Sequence, residues 1–256
     1  MTRKSLTCDA EATQAHADAI IEALRSNAGF TVTWLNHFSA QRAFDSAHSA
    51  ALEAVDVVGV DGKLLQLLVA APARTSADCV LPVVFESHVA LRIALIGGTS
   101  VAAVDHANAV RKRINDMSEV VLSVDGYEST NSLDALADAC GQARANLIIV
   151  GLSAGRQEQV AVTLSRRLPT AVVVTCGGFL DQLEYEHYYP GWAYPLRLNW
   201  LVRLAREPRR LWRRYTIDGA RAVLRRRELA EKIHALPGYG GVSGASAEVS
   251  DAPLAA

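Results

Sequence analysis

Asp61 stands between the apolar run Val57-Val58-Gly59-Val60 and Gly62. A lone carboxylate where a β-branched run ends can take a proton from a hydroxyl brought within hydrogen-bond reach. The same residue would also serve simply to turn the chain or to cap a helix. In Ile96-Gly97-Gly98-Thr99-Ser100, two glycines and a hydroxyl residue lie between a strand-like run and a helical pattern. Backbone N–H groups there can hold a phosphate with help from the helix dipole, although Gly-Gly at such a place is also a common tight turn. The stretch Gly151-Leu152-Ser153-Ala154-Gly155-Arg156-Gln157-Glu158 joins a loop of small residues to a guanidinium, an amide and a carboxylate. Arg156 can pair with a phosphate and Gln157 can hydrogen-bond a sugar or diphosphate oxygen. A solvated helix start, with Glu158 set against the dipole, would carry the same residues. Arg74-Thr75-Ser76-Ala77-Asp78 is a similarly polar loop between two apolar segments.

The sequence holds no Gly-x-Gly-x-x-Gly and no Gly-x-x-x-x-Gly-Lys-Ser/Thr, which argues against a nicotinamide enzyme or a P-loop nucleotidase. No Asp-x-Asp triad occurs, and the seven histidines include no i, i+4 pair, so no metal and no cofactor are expected. Cysteines 8, 79, 140 and 176 form neither a Cys-x-x-Cys pair nor a ligand cluster. They are expected to be buried or indifferent thiols.

These residues need a frame. Half of the 256 residues are hydrophobic, enough for one sizeable core. Short β-branched runs at 31–35, 55–60, 92–96, 120–124, 147–150 and 171–175 alternate with helical patterns at 39–52, 62–69, 100–114, 132–143 and 157–168, and another helix is predicted at 10–26. That alternation implies βαβ crossovers: an α/β, Rossmann-like, mostly parallel sheet with helices on both faces. Ligands bind such sheets beyond the carboxyl ends of the strands. Asn36, Asp61, Gly97, Gly98, Tyr127, Gly151, Gly177 and Gly178 all follow a predicted strand, which makes the chemistry-bearing stretches converge on one edge.

The net charge of −1 hides an asymmetry: residues 197–227 hold eleven arginines against two acids, so that segment carries +9 and the rest −10. A basic segment on an acidic body suggests an anionic partner, membrane or nucleic acid. Arg203, Arg206, Arg210 and Arg213 follow near-helical spacing beside Trp212 and Arg214, which favours an interfacial docking element. Nucleic acid is disfavoured, because the acidic body would repel a duplex and no reader motif is present. The predicted organisation is an α/β body over 1–194, a C-terminal helical basic appendage over 195–237 and a disordered tail over 238–256. No apolar window is long enough to span a membrane, and Asp9 and Glu11 interrupt the place of a signal-peptide core, so the protein is expected in the cytoplasm, peripheral to the inner face of the cell membrane.

In this order, several of these stretches resemble the WecG/TagA/CpsF family, glycosyltransferase family 26. They are Leu35-Asn36, Val60-Asp61-Gly62, Arg74 to Asp78, Leu95-Ile96-Gly97-Gly98, Gly151-Leu152 with Gln157-Glu158, Gly177-Gly178-Phe179, and above all the tryptophan- and arginine-rich stretch at 200–215. The resemblance implies transfer of a hexose-type sugar from a UDP-sugar to a polyprenyl-diphosphate-linked acceptor, with Asp61 as base. It also implies that Asn36, Arg74 and Gln157 belong to the active site; from their strand-end positions and chemistry, Gly97, Gly98, Thr99, Tyr127, Gly151, Arg156, Gly177 and Gly178 are expected on the donor. Trp34 and His37 stand where the family often has Thr and Pro, and Ser153 and Gly155 replace a Gly and a Pro of the family loop. Gly155 predicts a more mobile loop. A catalytically silent sugar-nucleotide-binding or scaffold protein of the same pathway would keep the loops without needing Asp61. Homo-oligomerisation is left open by the sequence.

Overall fold

The computed structural model describes residues 8–183, 202, 204–205 and 208–240, without the side chains of residues 210, 211, 214 and 215. Arg203, Arg206, the side chains of Arg210 and Arg214, and residues 241–256 of the expected tail therefore lie outside the described residues. Six parallel strands form one sheet in the order β2-β1-β6-β5-β3-β4. They are β1 (Phe30–Leu35), β2 (Val57–Val60), β3 (Arg92–Gly97), β4 (Glu119–Val124), β5 (Leu147–Gly151) and β6 (Val172–Thr175). The predicted Rossmann-like α/β architecture is present.

Strand alternation decides which helix covers which face. Ile93, Leu95, Leu147, Ile149, Val172 and Val174 point to one side, where they meet α1 (Ala10–Ser26), α5 (Ala77–Phe85) and α6 (Ser100–Arg111). Their neighbours Ala94, Ile96, Ile148, Val150 and Val173 point to the other, against α7 (Leu133–Gln142) and α8 (Arg156–Arg167). In α1 the buried Ala17, Ile20, Ile21 and Leu24 lie on one helical stripe, and Asp9 caps the first turn by accepting the Ala12 N–H at 2.9 Å.

Local chemistry shifts several expected boundaries. The single helix predicted at 39–52 is broken into α2 (His37–Ala40), a 3₁₀ turn at Gln41–Phe44 and α3 (Ser46–Glu53), because Asn36 and Asp45 each cap their own start. The short β2 is followed by α4 (Lys63–Leu68). Val55 and Asp56 stay outside β2, since the Asp56 carboxylate accepts the Thr31 N–H at 2.7 Å. The polar loop expected at 74–78 leads directly into α5, a helix hidden from the pattern by Pro82 inside it.

Two further expectations are corrected. Because α1 packs on α5, Cys8 meets Cys79 in a disulfide across 71 residues, while Cys140 and Cys176 remain free. Spacing rules cannot see a pairing of that kind. The basic region is also less detachable than expected. Beyond α9 (Phe179–Leu183), its helices α10 (Pro208–Tyr215), α11 (Ile217–Leu224) and α12 (Arg226–His234) run back to the body, and Ala222, Leu229, Ile233 and Leu236 pack with Leu35, Val58, Val60 and Leu65 in a second core. Gly238 belongs to this structure rather than to a tail, because its carbonyl accepts the N–H of Val58 at 2.8 Å and so covers the β2 edge.

Candidate active site

The carboxyl ends of the strands open into a cavity of about 1800 Å³ among the described residues. That exceeds the several hundred Å³ of an ordinary small-molecule pocket and leaves room for two substrates.

At the β2 end, Asp61 donates its backbone N–H to the Leu35 carbonyl at 2.7 Å, and its carboxylate faces the cavity one-third exposed. It does not cap α4, whose N-cap is Gly62 with no side-chain cap bond. Its partner is Arg74, whose Nη2 donates to Asp61 Oδ1 at 3.0 Å. The segment carrying Arg74 is pinned from three sides: Thr75 N–H donates to Val60 at 3.1 Å, Asp9 N–H donates to Arg74 O at 2.9 Å, and Trp34 Nε1 donates to Thr75 Oγ1 at 3.0 Å. Trp34, a departure from the family pattern, thus supports the arginine that faces Asp61. Asn36 also lines the cavity; its Oδ1 is occupied by the Phe38 and Ser39 N–H groups, so its amide N–H₂ is the part that can address a ligand.

The opposite wall is built from loops of small residues. Gly98 lines the cavity, whereas Gly97 stands behind it so close to Gly151 that an added Cβ would lie 2.5 Å from the Gly151 carbonyl oxygen. Thr99 is not on the wall; its hydroxyl caps α6 by accepting the Ala102 N–H at 3.3 Å. Tyr127 lines the cavity and is 64% exposed, held in a turn by Asp125, whose Oδ1 accepts the Tyr127 N–H at 2.8 Å. The Ser129 hydroxyl, and then the Tyr127 N–H, hold the Asp125 carboxyl below its ordinary value. Gly151, Ser153, Gly177 and Gly178 continue the wall, and Arg156 enters it while donating a short hydrogen bond to Thr130 Oγ1.

Gln157 reaches the cavity from a buried position in which both ends of its amide are engaged. Nε2 donates to Glu158 Oε1 at 2.8 Å, and Oε1 accepts the Gly177 N–H at 3.1 Å. Gly155 adopts φ +92, which a proline cannot reach, and its N–H donates to Glu158 Oε2 at 2.8 Å. The Pro-to-Gly departure therefore gives this loop a different, carboxylate-held path. Beside it His48 lies 3.8 Å from Glu158, and burial, only partly opposed by that carboxylate, holds its ring below the ordinary value. Cys176 lines the cavity, but burial pushes its thiol up to about 12, so near neutral pH it is no thiolate nucleophile.

From the basic region, Arg213, Arg221 and Arg225 line the cavity, joined by Arg42 from the 3₁₀ turn. Arg225 lies 3.8 Å over the Phe44 ring, and Gln41 Nε2 donates to the Asp218 carbonyl at 2.8 Å, which ties α11 to the body. Trp212 is exposed. Arg42, Arg221, Arg225 and Asp181 were not singled out by the sequence. The arginine count marked the basic region but could not separate cavity-facing members from surface ones. Among the described residues no group of three potential metal ligands occurs, and no helix is long and apolar enough to cross a membrane.

The family model described as "Glycosyl transferase WecG/TagA/CpsF family" matches residues 5–234, a span that includes every cavity-lining residue named above. No curated protein matches the chain.

Proposed function

The chain belongs to the WecG/TagA/CpsF family of glycosyltransferases, which act in cell-surface polysaccharide synthesis, and on that premise we propose an inverting hexosyl transfer from a UDP-sugar to a polyprenyl-diphosphate-linked glycan. The observation that carries this reading is the Asp61–Arg74 pair on one side of a cavity whose other side is made of glycine loops. Asp61 takes the proton of the acceptor hydroxyl while its oxygen bonds to the anomeric carbon. The bond from that carbon to the donor phosphate breaks, and UDP leaves with the electron pair. Charge then grows on the diphosphate, where Arg156, Arg213, Arg221 and Arg225 are within the same cavity to offset it. Asn36 and Gln157 hold sugar hydroxyls or loop N–H groups in place.

With arginines in this role, transfer is expected to survive excess chelator. Incubating the protein with a panel of UDP-sugars and a polyprenyl-diphosphate oligosaccharide in EDTA should add one sugar to the acceptor by mass. UDP binding without any product would favour the silent-binder alternative. Activity lost in EDTA and restored by Mg²⁺ or Mn²⁺ would overturn the account of the arginines.

The exposed Trp212 with Arg209 on α10 supports peripheral attachment to an anionic membrane surface. Each basic residue near such a leaflet contributes about 1 kcal/mol. Binding to anionic vesicles should therefore weaken as salt rises and be absent on neutral ones. Equal binding to both vesicle types would remove the arginines from the anchor.

A further inference from the structure

Beneath the cavity floor lies a polar layer centred on a carboxylate that the transfer chemistry does not use. Glu158 is fully buried, against a sheet whose buried residues are mostly Val, Ile and Leu. Three donors converge on its two oxygens: the Gly155 N–H at 2.8 Å, Gln157 Nε2 at 2.8 Å and the Thr33 hydroxyl at 3.3 Å. Thr33 lies 2.6 Å from the Thr175 hydroxyl, and Gln157 passes the linkage on to the Gly177 N–H. Thr33 belongs to β1, Thr175 ends β6, and Gly155 closes the loop after β5. One side chain thus joins the ends of three neighbouring strands, just under the two glycine loops that line the cavity. A buried carboxylate is costly unless it is fully hydrogen-bonded, and an apolar side chain of this size would serve the core alone better.

We propose that Glu158 is a positioning residue for the sugar-nucleotide donor. It fixes the 151–155 loop directly and the 177–178 loop through Gln157, so that the cavity-lining parts of both loops are set in place before the donor arrives. His48 is the basic side chain that abuts it, at 3.8 Å. This rests on the donor reading above, and it assigns the geometry of two loops to a group that touches no substrate.

Glu158→Gln keeps the size of the side chain but turns one acceptor oxygen into an N–H₂ group. Whichever way the amide lies, a donor then faces either the Gly155 N–H or the Gln157 and Thr33 donors. Leaving a buried donor unpaired shifts a loop equilibrium by about ten- to a hundredfold. The expected result, read by calorimetry with UDP as probe, is a Kd raised about tenfold or more, with the donor KM raised in parallel and kcat within about threefold of wild type. A role in folding alone would instead lower the active fraction, reducing kcat while leaving Kd and KM unchanged, and that result overturns the proposal. Thr33→Val, which keeps the β-branched shape and removes one donor, should weaken UDP about two- to tenfold. If Glu158→Gln does not fold, wild-type UDP affinity in Thr33→Val overturns the proposal. Wild-type protein that binds no UDP overturns the donor reading itself, and the proposal with it.

Discussion

Replacing Asp61 by Asn should lower sugar transfer by roughly 10²–10⁴-fold, the range for loss of a general base, while UDP affinity changes little. The substitution keeps the shape of the side chain and its backbone bond to Leu35, and at one-third exposure it leaves no buried polar group stranded. What it removes is the negative charge that can accept the acceptor's proton. Arg74 still has an amide oxygen to donate to, loses the ion pair, and stays pinned through Thr75 and its own carbonyl. Donor binding on the opposite glycine wall should therefore hold. Single-turnover transfer and UDP calorimetry on the same preparation check both halves. Turnover near that of wild type would remove Asp61 from the chemistry, and a parallel collapse of UDP binding would recast it as a support for the pocket.

Deleting residues 217–256 should cost the body its fold rather than merely its anchor. Leu229 and Ile233 are completely buried and Leu236 nearly so, all against Leu35, Val58, Val60 and Leu65. Emptying a buried Leu or Ile site to Ala alone costs about 2–5 kcal/mol. Losing three such side chains together approaches the whole stability of a typical domain, about 5–15 kcal/mol. The deletion also uncovers the β2 edge that Gly238 caps, an invitation to aggregate. An insoluble or non-cooperatively melting product is expected. The single change Ile233→Ala should stay folded but melt roughly 5–15 °C lower. A monomeric deletion variant that melts like the full chain would restore the expected boundary at 194 and make these helices a true appendage.

Short β-branched apolar runs alternating with helical stripes were enough to place all six strands, because burial on both faces of a parallel sheet imposes a near-continuous apolar pattern that each strand carries in its own residues. Helix boundaries were less legible where a local cap overrode the pattern, as Asn36 and Asp45 do between 36 and 53. Pro82 concealed α5 because a proline argues against a helix interior unless the surrounding packing supports it. The strand-end rule also drew Asp61, Asn36, Gly98, Gly151 and Gly177 into one crevice without any knowledge of strand order.

The sequence by itself therefore determined the layer architecture, the edge on which the cavity opens and, through its ordered motifs, the family. Only the tertiary structure decided which side chains meet: Arg74 on Asp61, Trp34 under Thr75, Cys8 on Cys79, Thr33 and Gly155 on Glu158, and Arg221 and Arg225 at the cavity. The reason is physical. A strand or helix is selected by periodic burial that neighbouring residues share, so its signal is local and repeated. A pair such as Thr33 and Glu158, 125 residues apart, forms because two packed elements bring them together, and neither residue carries any mark of the other.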